Sequence, residues 1–211
     1  MWRTLVQKEI LNFWFKESTS EQWFTKDSNF DRQIKVKFLK IVELAIIGKL
    51  DDWANDPYSC LALIITLDQF PRNLFRNNKL SFENDPKALK FCKHAIENAF
   101  IEQLAGEERL FALLPLIHSE DIKDHDLANK VLEKYLLELP SFERTKKAWN
   151  DHTRVIKRFG HYPHRNKILR RKSSEEEIDF LKEPNSSLSL IHISEPTRQE
   201  AISYAGVCVK K

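Results

Sequence analysis

The chain has 211 residues, 42% of them hydrophobic and 31% charged, with a formal net charge of +3 and only 4 glycines and 8 prolines. That composition describes one soluble globular domain of ordinary size, not a disordered, collagenous or disulfide-scaffold chain. With 34 basic against 31 acidic residues, it is too balanced to announce nucleic-acid binding, so nucleic acid is an unlikely partner.

Low Gly and Pro, beside long runs of Leu, Ala, Ile, Lys and Glu, favour helices over a turn-dense β architecture, and no segment alternates as a strand would. The opening MWRTLVQKEI lacks the apolar core of a signal peptide, and no run approaches the roughly 20 apolar residues that span a bilayer. Cys60, Cys92 and Cys208 have no metal-ligand spacing, which fits a reducing cytoplasm.

Taken in order, the apolar positions predict a first helix from about Thr4 to Lys16, then an aromatic turn around Trp23 and Phe24. A second helix, roughly Asn29 to Gly48, carries Phe30, Ile34, Phe38, Val42 and Ala45 on one face. Asp56 followed by Pro57 is a start signal, an N-cap and then a proline whose missing N–H is harmless. The run after it, Cys60 to Phe70, is apolar all round until Asp68, which makes this the central buried helix. A carboxylate in so dry a place needs a hydrogen-bonding or cationic partner, because an unpaired buried charge costs several kcal/mol.

Asp85-Pro86 repeats the start signal and predicts a fourth helix to about Leu104; Gly106 separates it from a fifth, Glu107 to His118, interrupted at Pro115. Ser119 to Asp121 caps a sixth, ended by Pro140, and Ser141 opens a seventh that runs to Phe159. In that helix Trp149, His152, Val155, Ile156 and Phe159 share a face, so His152 points inward, and Gly160 supplies a left-handed cap. Ser173 and Glu176 read as a capping box for a last short helix near Leu181. About eight helices joined by short turns imply stacked antiparallel pairs. Two turns, Phe70–Asn73 (FPRN) and Tyr162–Asn166 (YPHRN), are alike in composition and both follow an apolar helix.

FWF (Phe13–Phe15), LALIITLDQFPRNLFR (Leu61–Arg76), PLIHSED (Pro115–Asp121) and RFGHYPHRNKIL (Arg158–Leu169) together resemble a bacterial family catalogued as domain of unknown function 924. The resemblance spans about Leu5 to Ser186. It implies an all-α fold similar to the tetratricopeptide-like α-α superhelix, and it carries no assigned activity. The motif positions it implies here are Asp68, Gln69, Arg72 and Asn73 from the first turn, His118 and Glu120 from the second, and His152, His164, Arg165 and Asn166 from the last. This chain departs from the family's pattern in having His161 where Arg is usual and Arg170 where Gly is usual.

Residues 188–211 are of another kind: LSLIHISEPTRQEAISYAGVCVKK closely resembles the conceptual translation of a sequencing-library adapter. Such a segment is set aside before fold reasoning, which leaves residues 1–187 as a single helical domain.

The polar set contains more Arg and His than Asp and Glu, a balance that suits an anion. A small anionic ligand is therefore the expected partner, with His118 or His152 able to transfer a proton. The competing class is an interaction module that takes a peptide on the concave face of a helical superhelix, with Trp2, Trp23 or Trp53 as anchors. No metal signature, Gly-rich phosphate loop or nucleophile elbow is present, so neither a metal nor a cofactor is expected. The basic residues crowded between Arg144 and Lys172 read as a solvated face.

Overall fold

A computed structural model describes residues 2–184 and 186, with the side chains of residues 2–4 left out. The described residues form helices joined by turns, with no strand among them. The adapter-like segment and Cys208 lie outside the described residues, as does the side chain of Trp2.

Helix α1 (Trp2–Asn12) widens into a π turn over Phe13–Glu17, and α2 (Ser20–Phe24) follows behind a capping box made by Thr19 and Gln22. Helix α3 (Ser28–Ile46) starts on Asp27, whose carboxylate accepts from the N–H groups of Asn29 and Phe30. Gly48 then turns the chain at φ +81, a conformation that costs a residue with a Cβ about 1–2 kcal/mol.

Helix α4 (Pro57–Asp68) begins as its sequence predicts, with Asp56 accepting from Ser59 N–H and Pro57 in the first turn. Every residue from Cys60 to Pro71 is buried, because α1, α3, α6 (Asp85–Glu97) and α7 (Glu107–His118) pack around α4. After one non-helical residue, Gln69, the short α5 (Phe70–Leu74) carries the chain away.

Three expectations about boundaries are corrected. Helix α6 ends at Glu97, not Leu104, because Ala99 turns left-handed at φ +56 and a 3-10 turn, Phe100–Gln103, takes over. Asp85 does not cap α6: the N-cap is Asn84, and the Asp85 carboxylate is turned inward. The capping box of α11 (Glu175–Phe180) is Ser174 with Glu177, one residue later than expected, since Ser173 instead accepts from Asn166 Nδ2.

Helix α8 (Ile122–Leu136), capped by Asp121, packs on α7, and α9 (Phe142–Phe159) packs on α8 and ends at Gly160, φ +71. The chain then bends through Tyr162 into a 3-10 turn, Pro163–Arg165, and a single helical turn, α10 (Asn166–Leu169). Arg170 closes that turn in the left-handed region, φ +57, the conformation for which glycine would be the usual choice.

The main core is rich in aromatic rings: Trp14 lies edge-on to Phe111 at 5.3 Å and to Phe70 at 5.7 Å, and Phe38 stacks on Phe70 at 5.0 Å. Trp53 is 2% exposed and belongs to this core, which removes it as a surface anchor. A second cluster, Val155, Ile156 and Tyr162, sits beneath the Tyr162–Asn166 turn with Ile122, Phe159 and Phe180 against it. No helix among the described residues is long and apolar enough to cross a membrane.

Candidate functional site

The ends of α4, α7 and α9 meet at one cleft. Its geometry starts from Asp68, the last residue of the driest helix and fully buried. The Asp68 carboxylate accepts from Gln69 Nε2 at 2.5 Å and from the ring of His118 at 2.8 Å, and it faces the Arg72 guanidinium at 3.3 Å. Burial alone would raise its pKa, but Arg72, His118 and Gln69 overcome that and hold it at about 2. Asp68 is therefore ionised at neutral pH, and as a carboxylate it can only accept. A proton of His118 sits on Nδ1, and Nε2 has no hydrogen bond among the described residues.

Asp85 forms a second charged node. Arg72 reaches it at 3.0 Å and Arg165 at 3.2 Å, so the two similar turns, FPRN and YPHRN, converge on one carboxylate. Burial lifts the Asp85 carboxyl against the pull of the two guanidiniums. The Arg165 guanidinium is also sandwiched, 4.5 Å from the Phe82 ring centroid and 4.6 Å from that of Tyr162, a cation–π geometry. Arg72 donates in addition to the Asp68 carbonyl. Arg165 belongs to Asp85, and the cationic partner of Asp68 is Arg72.

His152 is held in place by its own helix. Its Nδ1 lies 2.7 Å from the carbonyl oxygen of Ala148 and must donate to it, leaving Nε2 unprotonated. Burial, and then the positive charge that His118, His125 and Arg165 can carry, keep its pKa down at about 3 despite the bond to Ala148. His164 is likewise pushed to about 3 by burial and by neighbouring Arg165, and its Nδ1 is buried with no hydrogen-bond partner. Burial lowers the His118 pKa as well, so three neutral imidazoles line the same space. Tyr162 lies between them, with ring centroids 5.9 Å from His152 and 5.4 Å from His164, and its hydroxyl donates to the carbonyl of Ile117.

The cleft has a volume of about 420 Å³. Of the ten sequence candidates, Gln69, Arg72, Asn73, His118, His152, His164 and Arg165 line it. Asp68 lies behind the lining and orients three of its members, Gln69, Arg72 and His118. Glu120 and Asn166 do not reach it. Glu120 accepts from Arg171 at 2.7 and 2.9 Å and from Tyr162 N–H at 2.9 Å, which fixes the turn carrying Tyr162. Asn166 donates to Ser173 and Glu177 and ties that turn to α11. Asn73 lines the cleft but spends its amide on Asp31.

Sequence reasoning missed Asp85, Phe82, Tyr162, Arg76 and Lys26. Asp85 was hidden by the proline after it, which made its carboxylate read as a helix cap. Phe82 and Tyr162 stand beside arginines only after folding. Part of the basic crowding from Arg144 to Lys172 is spent on ion pairs, among them Arg158 with Glu176, Arg171 with Glu120 and Arg165 with Asp85. His161 faces Glu177 at 2.5 Å.

Comparison with known proteins extends over most of the chain. A family model described as bacterial protein of unknown function, DUF924, matches residues 10–185. The solved structure of a protein of unknown function from Agrobacterium tumefaciens superposes with a TM-score of 0.78 at 32% identity, covering 86% of this chain and 99% of that one. No curated protein matches.

Proposed function

The chain belongs to the bacterial family of unknown function DUF924, and we propose that it is a small-molecule-binding protein whose cleft takes a small anion such as a carboxylate or a phosphate. One observation carries this reading. The titratable groups lining the cleft include Lys26, Arg72, Arg76, Arg165, His118, His152 and His164, and no aspartate or glutamate is among the lining residues. The carboxylates that fix the arginines, Asp68 and Asp85, lie behind them, so a ligand meets donors and rings first.

The enclosure suits a small ligand. A volume of about 420 Å³ lies within the roughly 300–1,000 Å³ typical of small-molecule sites, where apolar walls accompany a few placed polar groups. Here Trp23, Phe24, Phe82 and Ile168 supply the apolar wall. Trp23 already donates its indole N–H to the Trp14 carbonyl at 2.9 Å, so it offers the cleft only its ring.

The test is thermal unfolding against a panel of small carboxylates, phosphates and sulfate, each compared with sodium chloride at equal ionic strength. A binder raises stability by mass action, about 2.7 kcal/mol at a hundredfold excess over Kd. For a domain of this size that is a shift of about 2–4 °C per kcal/mol. If no anion exceeds the chloride control, the reading is wrong. A peptide-docking module, the competing reading, predicts no response to small anions.

A further inference from the structure

Lys26 is exposed; apart from it, the charges around the cleft cancel, and this bears on how an anion enters. Two guanidiniums, Arg72 and Arg165, face two carboxylates, Asp68 and Asp85, across ion-pair distances of 3.0–3.3 Å. Arg76 at the rim is taken by Asp31 at 2.5 Å. With the three imidazoles neutral, the innermost groups carry no net charge. An anion brought there from water loses hydration and gains too little in return unless a further positive charge appears with it.

We propose that anion binding in this cleft is coupled to protonation of His118: Nε2 takes a proton from solvent, and the resulting imidazolium, held between Asp68 and the ligand, supplies the positive charge that the buried carboxylates otherwise cancel. The inference rests on the anion-binding reading above.

The choice of His118 over its neighbours is geometric. Of the three imidazoles lining the cleft, it alone donates to a carboxylate, Asp68 at 2.8 Å, so a charge on its ring has a counter-ion in contact. His152 has only the Ala148 carbonyl, and a proton there would lie among His118, His125 and Arg165. His164 has an Nδ1 unpartnered among the described residues and feels Arg165 and Arg171, which the opposing pull of Glu120 does not outweigh. Around His118 itself, α4 contributes Asp68, α5 Arg72 and α6 Asp85, while His125 on α8 and His152 on α9 look toward it. Desolvation and Arg72 hold the empty site's His118 neutral, against the pull of Asp68 and Asp85. A bound anion offsets Arg72 and tips that balance.

None of the hydroxyls lining the cleft donates to Nε2. Among the lining residues, Thr25 donates to the Glu21 carbonyl, Ser81 to that of Asn78 and Tyr162 to that of Ile117. The proton acceptor therefore meets ligand or water.

Sulfate is the probe, because its own charge is fixed near neutrality. Titration calorimetry of the full chain at pH 7.5, in two buffers of different ionisation enthalpy, counts the protons taken up. The expected result is about one proton per sulfate, with affinity falling about tenfold per pH unit above the pH at which free His118 titrates. On histidine-labelled protein, the ¹⁵N signals of one ring should change to the doubly protonated pattern, and His118→Gln should abolish that signal and the proton uptake together. Gln can still donate to Asp68, so the fold is retained. Sulfate binding without proton uptake overturns this inference and leaves the anion reading standing. Uptake on the ring of His152 or His164 overturns the assignment to His118. If sulfate, phosphate and malonate all fail to bind at millimolar concentration, the anion reading falls and takes the inference with it.

Discussion

Asp85 holds two arginines, the buried Arg165 and the half-buried Arg72, while each arginine has more than one support. Arg72 also touches Asp68, and Arg165 also lies between two rings. Removing the shared carboxylate therefore leaves more charge uncompensated than removing either arginine. Asp85→Ala is expected to cost about 3–5 kcal/mol in urea unfolding, the range for breaking a buried pair. Arg165→Ala, which leaves Asp85 with Arg72, should cost about 2 kcal/mol; equal losses would mean that Arg72 does not hold Asp85 alone. The pH profile is also set by single residues. His152 titrates at 6.5 when exposed and at about 3 when folded, so below pH 6.5 the unfolded chain binds a proton that the folded one refuses. Its contribution is intact above pH 6.5 and is lost as pH falls from there toward 3. Asp68, held at about 2 against an ordinary 3.8, adds a loss of the same sign lower down. Stability should thus begin to fall well above the range in which carboxylates titrate. His152→Gln should reduce the slope between pH 6.5 and 4 by up to about 1.4 kcal/mol per pH unit, read from urea midpoints at stepped pH.

At the scale of the element, α4 is the part most firmly fixed by its sequence, with a cap, a proline and an apolar run in agreement. Leu63 and Ile64 are fully buried, so Leu63→Ala or Ile64→Ala should cost about 2–5 kcal/mol through lost burial and a residual cavity. A loss below about 1 kcal/mol would place the helix at the surface. The turn after α10 makes the opposite case. Arg170 sits at φ +57 and is exposed, so its side chain adds strain without packing. Arg170→Gly should raise stability by up to about 1 kcal/mol, net of the extra freedom it gives the unfolded chain. The two helix starts written Asp-Pro show what local reading can mistake. Asp56 caps α4, whereas Asp85 leaves its helix to meet arginines from two other elements.

At the scale of the molecule, the family match ends at residue 185, and deletion of residues 188–211 is expected to leave the melting temperature unchanged. A fall of more than about 2–4 °C, equivalent to about 1 kcal/mol in a chain of this size, would mean that the segment contributes to the fold. Periodicity determined the helical class, the central position of α4 and the inward turn of His152, because each depends on where apolar side chains recur along one helix. Need also marked Asp68: a carboxylate ending a dry helix requires partners whatever the fold. Which partners, only the tertiary structure decided. His118 comes from 50 residues away and Arg165 meets Asp85 across 80. The rings of Phe82 and Tyr162 that enclose Arg165 likewise come from different turns. A charge registers its surroundings through space, and spacing along the chain carries no record of neighbours brought together by the packing of α4, α7 and α9.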